Sequence, residues 1–319
     1  MDMAFTIVVN PAAGGGKAHQ CLQAIRTVLD AAGVRYLTHD SKSLMDAGSL
    51  ATEAALRGDH VVAVGGDGMA GAIASAVARA KPAGDGLFAI IPAGRGNDLA
   101  RTYGIPFGSN DAAKILLDGQ LRPMDLIEVT GADGTQASAA GSLYVGIASM
   151  AGEIANEFRF IRGPVAYPAA ALRALVGWRP AVFTIDSAGS TPAAGAIRTP
   201  DEFQGYGIVI TSIPYFGAGM KVAPNAAPGD GMLEVVLMRH APKLVFLRVL
   251  RMVGKGTHVN LPQISTGRAT NLEVTCNRSM PVGVDGESLH ISFPLRIRVI
   301  PNALKIMAPA MGDPDSRRP

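Results

Sequence analysis

The sequence predicts a two-domain α/β chain, in which a parallel α/β domain is followed by an antiparallel sandwich or barrel-like β domain. Three observations carry this expectation. The chain has 319 residues, more than a single core of about 150 residues organises. Its first third alternates short, wholly apolar runs with helical patterns, the signature of a parallel sheet covered on both faces. After about Pro123 the texture changes to short β-type runs separated by glycine and proline turns. The expected domains are 1–124 and 125–300, and a strand near 301–308 is a candidate to return to the first.

Taken in order, Phe5–Val9 is an apolar run closed by Asn10-Pro11. Ala18–Ala32 carries Leu22, Ile25, Val28 and Leu29 at helical spacing and stops at Gly33. Val34–Thr38 reads as a strand, Ala47–Leu56 as a helix, and His60–Val64 as a strand ending at Gly65-Gly66. Met69–Ala80 is helical, Leu87–Ile91 is a buried strand ending at Pro92, and Asp98–Tyr103 and Asp111–Leu117 are helical. The second domain offers strands at Asp125–Thr130, Leu143–Ile147, Val182–Ile185, Tyr206–Ser212, Met232–Met238, Leu272–Cys276, Val282–Val284, Leu289–Ser292 and Leu295–Ile300. Helical insertions at Val165–Val176 and Lys243–Val253 interrupt it, and Ala303–Met307 is the last strand. The polar tail Asp313 to Pro319 is expected to fray.

Apolar residues make up 48% and charged residues 17%, enough apolar matter for a large core and against a disordered chain. The 29 basic and 26 acidic residues leave +3, too small an excess to require a nucleic-acid partner or a membrane. Cys21 and Cys276 stand far apart, outside any C-x-x-C or His/Cys cluster, which argues against zinc and suits a reducing compartment. The six histidines show no ligand spacing. No charged stretch leads into an apolar leader, and no run reaches about 18 apolar residues. A cytoplasmic protein is therefore expected, with peripheral attachment to the inner face of the membrane as an extension of that reading.

Three glycine-rich loops each follow an apolar strand directly, at the sheet edge where ligands of open α/β folds bind. The first is Asn10-Pro-Ala-Ala-Gly-Gly-Gly-Lys17. Its glycines let amides turn around an anion, the next helix adds positive potential, and Lys17 adds a full charge. Residue 18 is Ala, so this is no Walker A loop, and a plain strand-to-helix turn is the alternative. The second, Gly65-Gly66-Asp67-Gly68-Met69, also fits G-x-G-x-x-G through Gly66, Gly68 and Gly71, with Asp85 as a ribose ligand. A carboxylate inside such a loop would repel a pyrophosphate unless a cation intervened, which favours magnesium-assisted phosphoryl transfer; a turn with a capping Asp is the alternative. The third is Pro92-Ala-Gly-Arg-Gly-Asn-Asp98. Gly94 and Gly96 allow close backbone approach, and Arg95 and Arg101 are candidates for phosphate oxygens; alternatively Asn97 or Asp98 simply caps the next helix. Far downstream, Val284-Asp-Gly-Glu-Ser288 reads as a hairpin turn in which Glu287 is a solvated residue or a catalyst. Asp230-Gly231 is a further turn.

In this order the four loops resemble the diacylglycerol kinase catalytic-domain family, which includes bacterial lipid kinases and sphingosine kinases. The likeness runs from Asn10 to Glu287. The Gly-Gly-Asp-Gly loop is shared with NAD kinases and phosphofructokinases, whereas Gly96 to Arg101, Tyr215-Phe-Gly-Ala-Gly-Met220 and Asp285-Gly-Glu287 favour lipid kinases. The resemblance implies an N-terminal three-layer α/β nucleotide-binding domain, a C-terminal antiparallel β-sandwich domain that takes the lipid substrate, and nucleotide in the cleft between them. It implies that ATP meets Asn10, Ser41, the turn formed by Gly65, Gly66, Asp67, Gly68, Met69, Ala70, Gly71 and Ala72, and the loop formed by Gly94, Arg95, Gly96, Asn97 and Asp98. Glu287 matches the proton acceptor of bacterial members, and Asp67 an acid that elsewhere serves as base or magnesium partner. Asp98 joins them in the catalytic set. The implied Mg²⁺ ligands are Asp67, Asp125, Asp230 and the Met232 carbonyl. Several positions depart from the commoner pattern: Met69 stands where Thr is usual, Ala72 where Glu is usual, and Arg95 for a Thr. Ala148-Ser149 lies near an expected Asp, and Ala227 and Gly229 lie where acids would complete a structural Mg²⁺ site.

The expected function is transfer of the γ-phosphate of ATP to a lipid hydroxyl, with diacylglycerol or a related lipid as acceptor. The alternatives are a soluble-metabolite kinase of the NAD kinase type, a nucleotide-binding regulator without catalysis, and, more distantly, a dinucleotide-dependent oxidoreductase. The acceptor comes from a membrane surface. Pro164–Trp178 and Lys243–Lys255 interleave aliphatic and basic residues and could lie in an interface; as plain helices they would pack on the sandwich. Chain length leaves oligomeric state open, with a homodimer among the options.

Overall fold

The computed structural model describes residues 4–81, 85–158, 166–187, 197 and 200–310. The chain divides into two compact units, Met1–Met124 with Asn302–Pro319, and Asp125–Pro301. The start of the helix expected at Val165 and the tail 311–319 lie outside the described residues.

The first unit is built on β1 (Ala4–Val9), β2 (Arg35–Asp40), β3 (His60–Gly65) and β4 (Leu87–Pro92). They pair in parallel in the order β4-β3-β1-β2. β1, β3 and β4 are apolar along almost their whole length and are buried on both faces, as a sheet covered by helices requires. The helices are α1 (Lys17–Ala31), α2 (Leu44–Arg57), α3 (Asp67–Ala80), α4 (Asp98–Thr102) and α5 (Ser109–Asp118). From β1 the chain moves outward to β2 through α1, then returns past β1 to β3 and β4 through α2 and α3. Right-handed crossovers put connections that run in opposite directions on opposite faces. Accordingly α2 packs on α3, and α1 packs on α5. Ala47, Ala51, Ala54 and Ala55 give α2 a buried face of small side chains that lets α3 approach closely.

The second unit begins within β5 (Gln120–Thr130) and holds β6 (Gln136–Ala139), β7 (Ser142–Gly146), β8 (Ala181–Asp186), β9 (Asp201–Thr211), β10 (Leu233–Arg239), β11 (Ile264–Ala269), β12 (Asn271–Cys276), β13 (Val282–Val284) and β14 (Glu287–Leu289). α6 (Ile147–Glu157), α7 (Ala166–Gly177) and α8 (Lys243–Val253) complete it. All pairings among these strands are antiparallel. β9 organises the unit: its first half pairs with β8, its second half with β7, while β10 runs along its other edge. One long strand thus serves two sheet segments, the way sandwich corners are made. Gly207 sits where the switch occurs, and a β-carbon there would strike the Val145 carbonyl. The core is apolar on both segments, with Phe183, Ile208, Ile210, Leu233, Val235 and Val274 fully buried.

Several expectations are corrected. Leu295–Ile300 and Ala303–Met307 form one strand, β15 (Leu295–Ala308). Its start pairs with β12, and Lys305 and Ile306 pair with β4. The strand expected at Leu289–Ser292 runs instead over Glu287–Leu289, because the two-residue turn Asp285-Gly286 returns the chain to pairing at once. Helix α6 starts where β7 ends, inside the apolar run read as strand alone. β6 and β11 had no sequence expectation at all.

Candidate functional site

Because α1 and α3 leave β1 and β3 for opposite faces of the sheet, the loops at the carboxyl ends of these neighbouring strands diverge and leave a crevice. All three glycine loops lie there, and they interlock. The Asn10 amide donates to the Val64 carbonyl at 3.0 Å, and the Ala93 and Gly94 amides donate to the Gly65 carbonyl at 2.9 and 3.1 Å. Gly94 lies so close to Gly66 that a β-carbon on it would collide with the Gly66 Cα. Gly14, at φ +61°, is packed against the Ala93 carbonyl, and a side chain would be both strained and blocked there. Glycine at these places is a packing requirement that joins the first loop to the third and the second to the third.

Polar side chains fix the loops further. The Asn10 Oδ1 accepts the Ala12 amide at 3.0 Å, and the Ser41 amide and hydroxyl both donate to the Val9 carbonyl. Asn97 does not cap α4 with its side chain. It stands in the left-handed region at φ 54°, and its amide accepts the Gly94 N–H at 3.0 Å while donating to the Gly94 carbonyl at 2.9 Å. The cap of α4 comes from the second loop, where the Asp67 Oδ1 accepts the Leu99 N–H at 3.1 Å. Burial pushes the Asp67 carboxyl upward, while the amides of Leu99, Asn97 and Asp98 hold its charged form. Asp98 is buried at the start of α4, next to the Leu99 amide that Asp67 accepts. Arg95 is exposed and Lys17 half-buried, and Arg101 stacks over Phe107 at 4.8 Å. Gly68 lies in the first turn of α3, where Ala70, Gly71 and Met69 are buried and Ala72 is half-buried. The Met69 side chain packs under Gly65, so only its backbone faces the loop region.

In the second unit the Asp285-Gly286 turn has both residues at positive φ, 46° and 96°. The Asp285 carboxylate accepts three consecutive amides, of Ala140, Gly141 and Ser142, at 2.5, 2.9 and 3.0 Å. The Gly286 N–H donates to the Tyr144 hydroxyl at 2.8 Å. This pinned turn presents Glu287, whose side chain reaches solvent yet loses enough hydration to raise its carboxyl above the ordinary range. Asp285 and Tyr144 were missed as site-building residues, since an Asp-Gly pair signals a turn and nothing about a carboxylate buried among amides.

The cation set Asp125, Asp230 and Met232 is not assembled as expected. The Asp125 Oδ2 accepts the Gly231 N–H at 2.8 Å, and the Asp230 Oδ1 accepts the Met232 N–H at 3.0 Å. The other Asp230 oxygen is bound by the Arg268 guanidinium, which also pairs with Glu234 at 2.9 Å. An arginine therefore supplies the positive charge that a structural cation would bring, and the residues do not fit a metal there. Among the described residues no three His, Cys, Asp or Glu side chains cluster to hold a metal. A magnesium ion carried by a substrate's phosphates needs only one protein carboxylate, and among the loops Asp67, half-buried with Oδ1 on the Leu99 amide, would be the one to meet it.

An apolar cavity of about 110 Å³ opens within the second unit, lined by α6, α7, α8 and strands β9 and β10. Phe216 and Met220, joined by a β-bridge around the Gly217–Gly219 turn, form part of its wall. His258 also lines it; burial lowers its pKa, and neither ring nitrogen completes a hydrogen bond.

Two family descriptions cover nearly the whole chain: residues 4–129 match the diacylglycerol kinase catalytic domain, and 141–308 the YegS C-terminal NAD kinase beta sandwich-like domain. A diacylglycerol kinase of Mycobacterium tuberculosis is 29% identical over 309 residues, 96% of either chain. A YegS-like lipid kinase of Pseudomonas aeruginosa is 30% identical over 265 residues, 81% of this chain and 79% of its own. Among solved structures, one from Bacillus anthracis str. Sterne, of a protein assigned to the diacylglycerol kinases, shares the fold with a TM-score of 0.77 over 98% of this chain and 96% of its own at 23% identity. With loops, sandwich and sequence matched along its length, the chain belongs to the diacylglycerol kinase catalytic-domain family of lipid kinases.

Proposed function

We propose that the protein transfers the γ-phosphate of ATP to the hydroxyl of a membrane lipid, diacylglycerol or a close relative. The observation that carries this reading is the interlocking of three glycine loops at a sheet switch point around one half-buried, amide-held carboxylate, Asp67. Backbone amides of such loops bind a polyphosphate without side-chain bulk. Lys17, half-buried, and Arg95, exposed, would offset phosphate charge from the first and third loops. Asn10, Ser41 and Asn97 act by fixing loop backbones, and Arg101 holds the start of the segment after α4. A magnesium ion bound with the triphosphate through Asp67 would neutralise charge on the transferring group. Glu287, its carboxyl already raised, takes the proton of the attacking lipid hydroxyl, and Asp98 supports Asp67 from the first turn of α4. The apolar cavity in the second unit, at about 110 Å³, has room for a short length of one acyl chain of the acceptor and not for a whole chain.

A soluble-metabolite acceptor is the second reading, because the C-terminal family description is NAD kinase-like; the cavity wall, aliphatic and aromatic apart from His258, weighs against a polar acceptor. Asp67→Asn and Glu287→Gln should each lower turnover on a lipid acceptor by at least ~100-fold, the scale of a lost acid–base group. Two variants with near-native rates would remove both assignments.

A further inference from the structure

We infer that the outer face formed by α7 and α8 is a docking surface for an anionic lipid bilayer. Nine large hydrophobic side chains are exposed among the described residues, and four of them fall on these two helices: Leu172 at 46%, Val176 at 75%, Leu244 at 77% and Leu247 at 38%. The other five are scattered singly over the first unit, as is ordinary for a soluble surface. α7 and α8 pack on each other, and the Lys243 ammonium donates to the Val176 carbonyl at 2.6 Å, so the four side chains belong to one face.

The charge carried by these two segments has one sign. Arg173, Arg179, Lys243, Arg248, Arg251 and Lys255 are all exposed. Neither 166–180 nor 240–261 contains an Asp or Glu. Among the described residues none of the six cations forms an ion pair with a carboxylate. On α8 the exposed Leu244, Leu247, Arg248 and Arg251 share one face, 244/248 and 247/251 being four apart and 244/247 and 248/251 three apart, and Lys255 follows Arg251 by four. Aliphatic side chains ringed by unpaired cations match the boundary between acyl chains and anionic headgroups. A protein partner of matching shape would need acidic groups around an apolar centre; a bilayer supplies both everywhere.

The same two helices carry the apolar cavity on their inner side, through Ala171, Leu175, Phe246, Val249 and Leu250. Docking this face therefore sets the helices that wall the cavity against the layer that holds the lipid. The inference rests on the lipid-kinase reading for its purpose, but its test does not depend on catalysis.

The test is flotation of the full-length protein with extruded phosphatidylcholine vesicles, with and without phosphatidylglycerol, in the absence of nucleotide. The wild-type protein should float with the anionic vesicles, and binding should weaken several-fold as sodium chloride rises from about 0.05 to about 0.5 M. Val176→Glu with Leu244→Glu, and separately Arg248→Ala with Arg251→Ala, should each lower partitioning by at least ~10-fold. All four positions are exposed, so thermal unfolding should match wild type, and phosphorylation of a dispersed short-chain lipid should be unchanged. Wild-type protein that stays unbound, or variants that float like wild type, would overturn the inference. So would loss of a dimer in the Glu variant with vesicle binding intact, which would make the face a contact between copies. Flotation without phosphate transfer to any lipid would leave the docking surface standing and remove the kinase reading; transfer to dispersed lipid without flotation would do the reverse.

Discussion

At Asp67 burial and hydrogen bonding pull the carboxyl in opposite directions. Desolvation favours the neutral form, and the α4 amides favour the anion. A carboxylate held this way has its position fixed by α4 while a nearby cation can still draw its charge. Glu287 lacks that compensation, and desolvation alone raises its pKa. The sign of the pH effect follows. A raised carboxyl is protonated below its pKa, and a protonated base cannot accept a proton, so kcat/KM on lipid should fall as pH drops through a value above the ordinary glutamate range of about 4.3. An acid limb at or below that range would contradict Glu287 as the base. Arg268 makes a second residue-scale case. It neutralises Asp230 and the buried Glu234, whose carboxyl burial pushes up and Arg268 pulls back down. Arg268→Gln leaves two carboxylates unpaired and should cost about 1–3 kcal/mol, less than a fully buried pair because Asp230 and Arg268 keep some solvent. Part of that loss should vanish in mild acid, where Glu234 takes up a proton. Urea unfolding at two pH values measures it, and a variant as stable as wild type at both would refute the charge-replacement role.

At the scale of elements, the β13–β14 hairpin is anchored by the Asp285 carboxylate, with the Tyr144 hydroxyl taking the Gly286 amide. The Asp285 carboxylate satisfies the amides of Ala140 and Gly141 in the turn before β7 and that of Ser142, the first residue of β7. Asp285→Ala should cost about 2–3 kcal/mol in urea unfolding, the scale of charge-assisted hydrogen bonds left unmade. It should also lower turnover by at least ~10-fold, since the turn that orients Glu287 loses its anchor. Unchanged stability would mean that the turn is held by other means. The same hairpin shows what the sequence made legible. Asp-Gly between short apolar runs announced the turn, yet the strand after it was expected two residues late, because Glu287 and Ser288 are polar and strand signals weigh apolar residues. α6 was hidden inside the run Leu143–Ile147, where strand passes to helix without a polar break. β6, Gln-Ala-Ser-Ala, has no apolar alternation to read. The cap of α4 by Asp67 spans 32 residues, and local sequence points to Asn97 or Asp98 instead. The parallel strands, by contrast, were legible because burial on both faces forces continuous apolar runs.

For the whole molecule, the order of glycine loops and turns along the chain signalled the family, while the geometry that gives them meaning is topological. The reversal of direction between β1 and β3 opens a crevice at the sheet's carboxyl edge, and no local pattern encodes that reversal. The apolar cavity was equally invisible, since its wall draws on residues from Ile147 to Ile264. No helix among the described residues is long and apolar enough to cross a membrane. The most direct measurement is transfer of label from γ-labelled ATP to a panel of diacylglycerol, a sphingoid base, phosphatidylglycerol and NAD, with products separated by chromatography. The account predicts label in a lipid, strongest with diacylglycerol or a close relative, and none in NAD. Label in NAD alone, or nucleotide binding with no labelled acceptor, would contradict it.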